Sequence, residues 1–277
     1  MKSFENKVAA ITGAGSGIGR GLALELGRRK CHLALSDIDD QGLQETVDRA
    51  SRLGVRVTTN KVDVADREAV YAWADEVVDD HGKVNLVFNN AGVALASTVE
   101  AMSYEDFEWL MNINFWGVVY GTKAFLPHLK ASGDGHLVTI SSVFGLAGIP
   151  SQSAYNSAKF AVRGFTESLR QELDMMDCGV SATSVHPGGV KTGIARSSRI
   201  DSSVRDLGID DIGGREKFEK TFITSADKAA RVILEGVRRN RRRVLIGPDA
   251  RVFDWAVRLL PSAYQRISVG YSRFSTQ

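Results

Sequence analysis

A tyrosine and a lysine lie four residues apart in the segment SAYNSAK, and together they could carry acid–base chemistry. The apolar residues around them have helical spacing, which predicts that Tyr155 and Lys159 share one face of a helix. An ammonium beside a phenol stabilises the phenolate, so we expect the pKa of Tyr155 to fall from ~10 toward neutral pH. Such a phenol is a usable general acid and base. Taken alone, however, a Tyr-x-x-x-Lys pair is also common on protein surfaces.

A serine completes the possible chemistry. Ser142 ends a β-rich run thirteen residues before Tyr155. The carboxyl ends of strands are where an open α/β sheet binds its ligands. The sequence therefore predicts that the Ser142 hydroxyl lies near the tyrosine and the lysine.

A glycine-rich stretch, TGAGSGIG from Thr12 to Gly19, could bind a dinucleotide. Its glycines do not fit G-x-G-x-x-G in either register; they follow G-x-x-x-G-x-G instead. A predicted strand precedes the stretch and a predicted helix follows it, so the helix N-terminus could hold a pyrophosphate. Asp37 follows Gly13 by 24 residues, at the end of the next strand, where a carboxylate can bind ribose hydroxyls and repel a 2′-phosphate. The alternatives are a purely structural turn and, for Asp37, a helix cap or a solvated charge.

The elements that must position these residues alternate along the chain. Runs rich in β-forming residues are separated by segments with helical spacing, which is typical of a parallel sheet with right-handed crossovers. We predict a single α/β domain over residues 1–250, a doubly wound Rossmann-type fold with a mainly parallel seven-stranded sheet. Its strands are Lys7–Thr12, His32–Ser36, Val55–Val62, Val84–Asn90, His136–Ser142, Val180–His186 and Arg243–Gly247.

Two segments depart from the alternation. Residues 188–224 form a long connection after the sixth strand, and we predict a substrate loop there that includes Phe218 and Phe222. Residues 251–277 form a basic extension that could cover the substrate pocket, form a subunit contact or lie on a membrane surface. Because the extension is short and interrupted by Pro261, packing against the domain or at a subunit contact is favoured. The residues in question are Phe253, Trp255, Ala256, Leu259 and Leu260.

Composition narrows the classes of function. A formal net charge of +2 is too small to indicate nucleic acid as a partner. Cys31 and Cys178 form no disulfide framework, and the five histidines have no ligand spacing, so no metal site is expected. No apolar signal core begins the chain and no apolar run is long enough for a transmembrane segment, so a cytoplasmic protein is expected.

Six motifs together resemble those of the short-chain dehydrogenase/reductase family. They occur in that family's order and spacing over roughly residues 5 to 250, and TGxxxGxG is the family's own glycine pattern. The motifs are TGAGSGIG, NNAG at Asn89–Gly92, Asn114 in NINFWG, Ser142, Tyr155 with Lys159, and HPGGVKT at His186–Thr192.

The resemblance implies a role for each of four catalytic residues. Tyr155 would exchange a proton with the substrate oxygen, and Ser142 would orient that oxygen. Lys159 would lower the pKa of Tyr155 and bind the nicotinamide ribose. Asn114 would hold a water that links Lys159 to solvent.

The resemblance also implies NAD as the cofactor. NADP-dependent members often carry a basic residue just before the second motif glycine or just after the second strand, where this chain has Ser16 and Ile38. Asp63 and Val64 would lie beside the adenine, Asn90 to Gly92 under the adenosine, and Val190 and Thr192 at the carboxamide. The implied cofactor-binding residues are Gly13, Ser16, Gly17, Ile18, Gly19, Asp37, Asp63, Val64, Asn90, Ala91, Gly92, Tyr155, Lys159, Pro187, Val190 and Thr192.

The resulting hypothesis is an NAD-dependent oxidoreductase that interconverts an alcohol with a ketone or an aldehyde. An apolar or part-apolar substrate is favoured because Val143, Phe144, Leu146 and Ile149 follow Ser142. The alternative is a non-catalytic NAD-binding redox sensor, which would not need all four catalytic residues. The family usually forms homodimers or homotetramers, with the helices around Asn114 and Tyr155 as the expected contacts.

Overall fold

A seven-stranded parallel sheet forms the centre of the protein in a computed structural model, which describes residues 1–194, 197–210 and 222–275, with side chains to residue 270. All six strand pairings are parallel, as predicted. The sheet order is β11-β7-β6-β4-β1-β2-β3. Its strands are β1 (Val8–Thr12), β2 (His32–Asp37), β3 (Val57–Lys61), β4 (Leu86–Asn89), β6 (Gly135–Ile140), β7 (Val180–Pro187) and β11 (Arg243–Ile246).

Helices cover both faces of this sheet. Several begin at residues whose side chains accept a hydrogen bond from the first turn, such as Asp66, Ser103 and Ser225. Among the described residues the α-helices are α1 (Gly17–Arg28), α2 (Asp40–Ala50), α3 (Arg67–His81), α4 (Tyr104–Met111), α5 (Gly117–Ala131), α6 (Ser153–Met176), α7 (Ala226–Arg238), α8 (Pro248–Leu259) and α9 (Ala263–Ser275).

The apolar core has two main layers, one on each face of the sheet. Ile11 packs with Leu22 and Ile233 in the layer under α1 and α7. Ala10, on the opposite face of β1, belongs to the layer of Trp73 and the residues of α3, α5 and α6. Alternate residues of one strand thus enter both layers, which explains why the predicted strands read as continuous apolar runs. Packing on both faces of the sheet therefore fixes the positions of the carboxyl ends of the strands relative to one another.

The long connection after β7 lies against the carboxyl edge of the sheet. Two parallel pairings of short strands involve this connection. β8 (Val190–Lys191) pairs with β10 (Thr224–Ser225), and β9 (Arg199–Ile200) pairs with β5 (Leu95–Ala96). The guanidinium of Arg199 also stacks on the Trp109 ring, 3.6 Å from its centroid. Phe222 is buried, whereas Phe218 lies outside the described residues. The segment 197–210 is thus anchored to the domain beside the strand ends.

The C-terminal extension consists of α8 and α9. The predicted domain boundary at residues 250–251 lies inside α8. Along the described chain, no helix is both long and apolar enough to cross a membrane.

Candidate active site

The glycine turn, residues 12–19, is shaped to approach an anion closely. Gly17 has a φ of +51°, a conformation that suits glycine, and a Cβ on Gly19 would overlap the carbonyl oxygen of Gly13. The amides of Gly17 to Gly19 precede the first hydrogen bond of α1, from Arg20 N to Ser16 O at 3.0 Å. No acidic residue stands in the first turn of α1. A pyrophosphate therefore fits this end of the helix chemically.

Asp37 is the last residue of β2 and lies directly beside the glycine turn. One carboxylate oxygen accepts a hydrogen bond from Gly15 N at 2.7 Å, and the other accepts one from Asp39 N at 3.0 Å. Each oxygen retains a second acceptor position. Asp37 can thus hold the turn and still bind a ligand hydroxyl.

Arg20 contributes to the same turn, a role that the sequence analysis did not predict. Its guanidinium donates to the carbonyl oxygens of Gly15 and Gly42, to Thr46 Oγ1 and to a carboxylate oxygen of Glu45. These bonds join the turn to α2. A signal was available in the sequence, because a basic residue directly after the glycines can reach backbone carbonyls of the preceding loop.

Asn90 and its neighbours connect the turn to the end of β4. The Asn90 side chain donates to the carbonyl oxygens of Thr12 at 2.8 Å and Gly13 at 3.1 Å. The amides of Asn90 and Ala91 both donate to Thr12 Oγ1 at 3.0 Å. The predicted TG and NNAG motifs therefore meet in the structure.

The HPGGVKT motif reaches the other side of the turn. A Cβ placed on Gly17 would lie 3.0 Å from the methyl group of Thr192, so the two residues are in close contact. Ser16, Gly17, Lys191 and Thr192 line part of a cleft of about 430 Å³. Pro187 and Val190, in the same motif, are buried.

Asp63 and Val64 follow β3, the edge strand of the sheet. Val64 is buried and contacts the backbone of Gly117, where a Cβ would meet its methyl group at 2.9 Å. Asp63 is exposed and accepts a hydrogen bond from Ala65 N at 2.9 Å. The contact of both residues with the cofactor stays a prediction.

The tyrosine cluster comprises Asn114, Ser142, Tyr155 and Lys159, which the fold brings together at the carboxyl ends of β4 and β6. Lys159 is buried, and its Nζ lies 5.5 Å from the centroid of the Tyr155 ring. The Tyr155 ring packs edge-on against Phe144, with centroids 6.1 Å apart. The predicted common helix face is present, because both residues belong to α6.

The expected fall in the pKa of Tyr155 is wrong for this arrangement. Burial raises the pKa of Tyr155 to about 12, and a hydrogen bond with Ser142 opposes that rise without overcoming it. Burial also lowers the pKa of Lys159 to about 8, and the ammonium donates to the carbonyl oxygen of Ile140 at 3.1 Å. Desolvation therefore acts against the charged form of each group. Since the tyrosine ring is only partly buried, water at its open side limits the shift.

His186 fixes the backbone of Ser142, a contact that the sequence analysis did not predict. Its Nδ1 lies 3.0 Å from the carbonyl oxygen of Ser142, and its Nε2 lies 3.0 Å from Ser184 Oγ. A carbonyl oxygen only accepts, so Nδ1 carries the hydrogen. Burial lowers the pKa of His186 to about 4, which keeps the ring neutral at neutral pH.

Asn114 lies in a short π-helical stretch, Asn112–Trp116, between α4 and α5. Its amide bonds to both backbone groups of Val93, each at 2.8 Å. A Cβ on Gly92 would meet Asn114 Oδ1 at 3.0 Å and Lys159 Nζ at 3.4 Å. Gly92 thus lies between the two side chains, and π-helical stretches are frequent at functional sites.

The loop after Ser142 is fastened to α6 by Asn156, which no sequence motif indicated. Its side chain accepts from Ile149 N at 3.0 Å and donates to the carbonyl oxygens of Phe144 and Ala147 at 2.7 and 2.9 Å. Val143 and Leu146 are buried in this loop, so their apolar character belongs to the core.

Asp249, at the start of α8, holds the loop after β7. One of its carboxylate oxygens accepts from Gly189 N at 2.6 Å. A Cβ on Gly188 would overlap the same carboxylate.

In the described chain, no group of three or more His, Cys, Asp or Glu side chains could hold a metal ion.

Comparison with known proteins identifies the family. The family model for short chain dehydrogenases matches residues 7–203. The chain belongs to the short-chain dehydrogenase family. The resemblance read from the six motifs is thereby confirmed, and the protein is an oxidoreductase of this family with a Rossmann-type fold.

Individual relatives cover nearly the whole chain. The oxidoreductase SadH of Mycobacterium tuberculosis is 50% identical over 276 residues, which span 99% of this chain and 98% of that protein. Estradiol 17-beta-dehydrogenase 11 of Homo sapiens is 38% identical over 197 residues, 71% of this chain and 66% of that protein. A solved structure of a short chain dehydrogenase/reductase from Burkholderia phymatum in complex with NAD has a TM-score of 0.84 and 30% identity, covering 94% of this chain and 96% of that one.

Proposed function

We propose that this oxidoreductase transfers a hydride between NAD and an alcohol or carbonyl substrate, with Tyr155 as general acid and base. The observation that carries the proposal is the position of Gly92. It joins the Asn90 network of the glycine turn to the side chains of Asn114 and Lys159. The nucleotide-binding loop and the tyrosine cluster therefore share one site.

The side chains of the tyrosine cluster suit carbonyl reduction at neutral pH. With a pKa of about 12, Tyr155 rests as a neutral phenol and holds the proton that a carbonyl oxygen must receive. The Ser142 hydroxyl can donate a second hydrogen bond to that oxygen as negative charge develops there. When bound, the reduced nicotinamide supplies the hydride to the carbonyl carbon. Tyr155 then becomes a phenolate, which the nearby Lys159 ammonium stabilises.

In the opposite direction Tyr155 must first lose its proton. Its raised pKa makes alcohol oxidation faster at alkaline pH, because a larger fraction of the phenol is then ionised. Lys159 favours that ionisation only while it is charged, and its pKa of about 8 limits this at high pH.

Asp37 supports NAD over NADP. Its carboxylate lies against Gly15, where a ribose hydroxyl could donate to it, and a 2′-phosphate would meet a like charge. Ile38 is exposed and offers no positive charge. The relative from Burkholderia phymatum, whose structure contains NAD, agrees with this proposal.

An apolar or part-apolar alcohol is the proposed substrate class. Phe144 contacts the ring of Tyr155, and its side chain is only partly buried. The name of the human relative, an estradiol dehydrogenase, points to an apolar alcohol for that protein and supports the same class here.

A screen with two independent measurements tests the proposal. Secondary alcohols and ketones of graded apolar size are supplied with NAD(H) or NADP(H), and the nicotinamide absorbance is followed. Cofactor binding is measured separately by calorimetry. We expect turnover with NAD(H) that increases with apolar size. Tight NAD binding with no turnover on any compound would instead indicate the redox sensor.

A further inference from the structure

We propose that the outer face of the C-terminal helices docks this protein on an anionic lipid surface. This lipid face is the side of α8 and α9 turned away from the domain. Its residues are Arg251, Val252, Trp255, Arg258 and Leu259 of α8, with Arg266, Ile267 and Val269 of α9.

The apolar residues of the lipid face form a stripe that the domain does not cover. Val252, Trp255 and Leu259 follow helical spacing, and their exposed fractions are 66%, 66% and 68%. Ile267 of α9 is 60% exposed. Large side chains that are singly exposed need no explanation, but a row of them on consecutive helices marks an interaction surface. The sequence analysis favoured packing of Trp255 and Leu259 against protein, and this chain leaves both exposed.

The inner side of α8 contacts the domain, which fixes the direction of the lipid face. Ala250 is buried. Asp249 holds Gly189 N, and Asp254 pairs with Arg243 at 3.1 Å. In α9, the Tyr264 hydroxyl accepts from Gly148 N at 3.1 Å. The helices are therefore attached through polar contacts and present their large apolar residues outward.

Charge on this face matches an anionic surface. Arg251, Arg258 and Arg266 are exposed, whereas Asp249 and Asp254, the carboxylates of residues 248–270, are partly buried against the domain. Arg258 pairs with Asp254 at 2.9 Å, so Arg251 and Arg266 are the better candidates for lipid headgroups. An interfacial helix binds through an apolar face with tryptophan and leucine, flanked by basic residues.

A symmetric contact with a second copy fits this face less well. A two-fold interface places the same patch on both subunits. Exposed arginines would then face exposed arginines, with the carboxylates of α8 turned inward, and such like-charge contacts are unfavourable. Anionic headgroups supply the missing negative charge.

The lipid face also lies beside the proposed active site. α8 is bonded to the loop after β7 through Gly189, and α9 is bonded to the loop after Ser142 through Gly148. A docked protein would hold both loops near the membrane surface. Docking itself requires no turnover, so its test is independent of the proposed reaction.

Vesicle sedimentation with the full-length protein tests the inference. Vesicles of phosphatidylcholine alone are compared with vesicles that also contain phosphatidylglycerol. We expect binding to the anionic vesicles that falls as salt rises. The double variant Trp255→Ser with Leu259→Ser should weaken it by at least about tenfold. The matched control is Val99→Ser with Met175→Ser, which removes two other exposed apolar side chains and should leave binding unchanged.

A second variant separates charge from apolar contact. Arg251→Glu with Arg266→Glu should abolish the preference for anionic vesicles, while circular dichroism shows a folded protein. The inference is overturned if the native protein sediments with neither composition, or equally with both. It is also overturned if the Trp255 and Leu259 variant changes the oligomeric mass in solution and the native lipid binding is absent, because the face is then a subunit contact.

Discussion

The glycine turn and the tyrosine cluster stand at neighbouring strand ends, yet they are built in opposite ways. In the turn, main-chain groups and short polar side chains satisfy one another, as in the contacts of Asn90 and Asp37. In the cluster, Tyr155 and Lys159 are held by packing, and the structure disfavours the charged form of each. The turn is prepared for a charge that a ligand brings. In the cluster, burial keeps Tyr155 a neutral phenol until a reaction creates charge.

Because of this difference, the glycine turn and the tyrosine cluster should be sensitive to different kinds of substitution. The turn depends on space, because its glycines leave no room for a Cβ. The cluster depends on protonation, because its groups are displaced from their ordinary pKa values. Changes of volume should therefore damage cofactor binding, and changes of ionisable groups should damage turnover.

The largest effect is expected in the cluster. Tyr155→Phe keeps the ring and removes the proton, so we expect kcat to fall by ~10²–10⁴ while NAD binding persists. Steady-state kinetics and calorimetry measure the two properties. Tyr104→Phe, at a tyrosine that is 86% exposed, is the control and should behave like the native protein. A Tyr155→Phe variant that retains more than about a tenth of the native kcat would exclude the assigned role.

His186→Gln should change how folding stability responds to acid. The pKa of His186 is about 4 when folded and about 6.5 when unfolded, so the unfolded chain binds the proton more tightly. Stability that is present above the unfolded pKa is therefore lost as pH falls from 6.5 toward 4. Between pH 7 and 4.5 we expect the native protein to lose about 2 kcal/mol more than the variant.

Urea unfolding at both pH values measures this difference. His128→Gln, which removes a histidine that is partly exposed on α5, is the control. An identical pH response in the native protein and the His186 variant would contradict the neutral, buried assignment of His186.

Gly19→Ala breaks the turn through volume alone. Its Cβ would overlap the Gly13 carbonyl oxygen, and overpacking of this kind costs about 1–3 kcal/mol. We expect a loss of NAD affinity of roughly 10- to 100-fold, measured by calorimetry. Gly164→Ala is the matched control, since it also lies in a helix but has nothing within 4 Å of the new Cβ. If both variants bind NAD equally well, the turn is not limited by space.

The smallest effect concerns the choice of cofactor. Native kcat/KM should be at least about tenfold higher with NAD than with NADP, as expected for a lost charged hydrogen bond. Asp37→Ser with Ile38→Arg should shift the preference toward NADP. Asp40→Ser removes an exposed carboxylate three residues away and should leave the ratio unchanged. A native preference for NADP would show that Asp37 does not face the ribose.

Much of this architecture follows from local sequence. Each of the seven predicted strands is present, because parallel strands buried on both faces leave continuous apolar runs. The spacing of Tyr155 and Lys159 was enough to place them on one helix face. Asp37 was found beside the turn because strand length fixes where a following residue emerges.

What the sequence did not reveal depends on tertiary contacts. The bond from His186 to Ser142 joins β7 to the loop after β6, and no local pattern specifies it. The role of Arg20 was not predicted because its partners on α2 lie over twenty positions away. The direction of the Tyr155 pKa shift was mispredicted because spacing reports proximity to a charge and gives no information about desolvation.

The bond between Asp249 and Gly189 has a practical consequence for shortening the chain. A truncation after residue 247 would delete the acceptor that holds the loop beside Val190, together with Asp254, one of two carboxylate partners of Arg243 among the described residues. Such a fragment should lose order at the nucleotide site as well as the helices themselves. A truncation after residue 260 keeps both bonds but removes the Tyr264 hydroxyl, which accepts a hydrogen bond from Gly148 N in the loop after Ser142. The unit that preserves the contacts of both loops therefore extends into α9, beyond the boundary that motif matching alone would suggest.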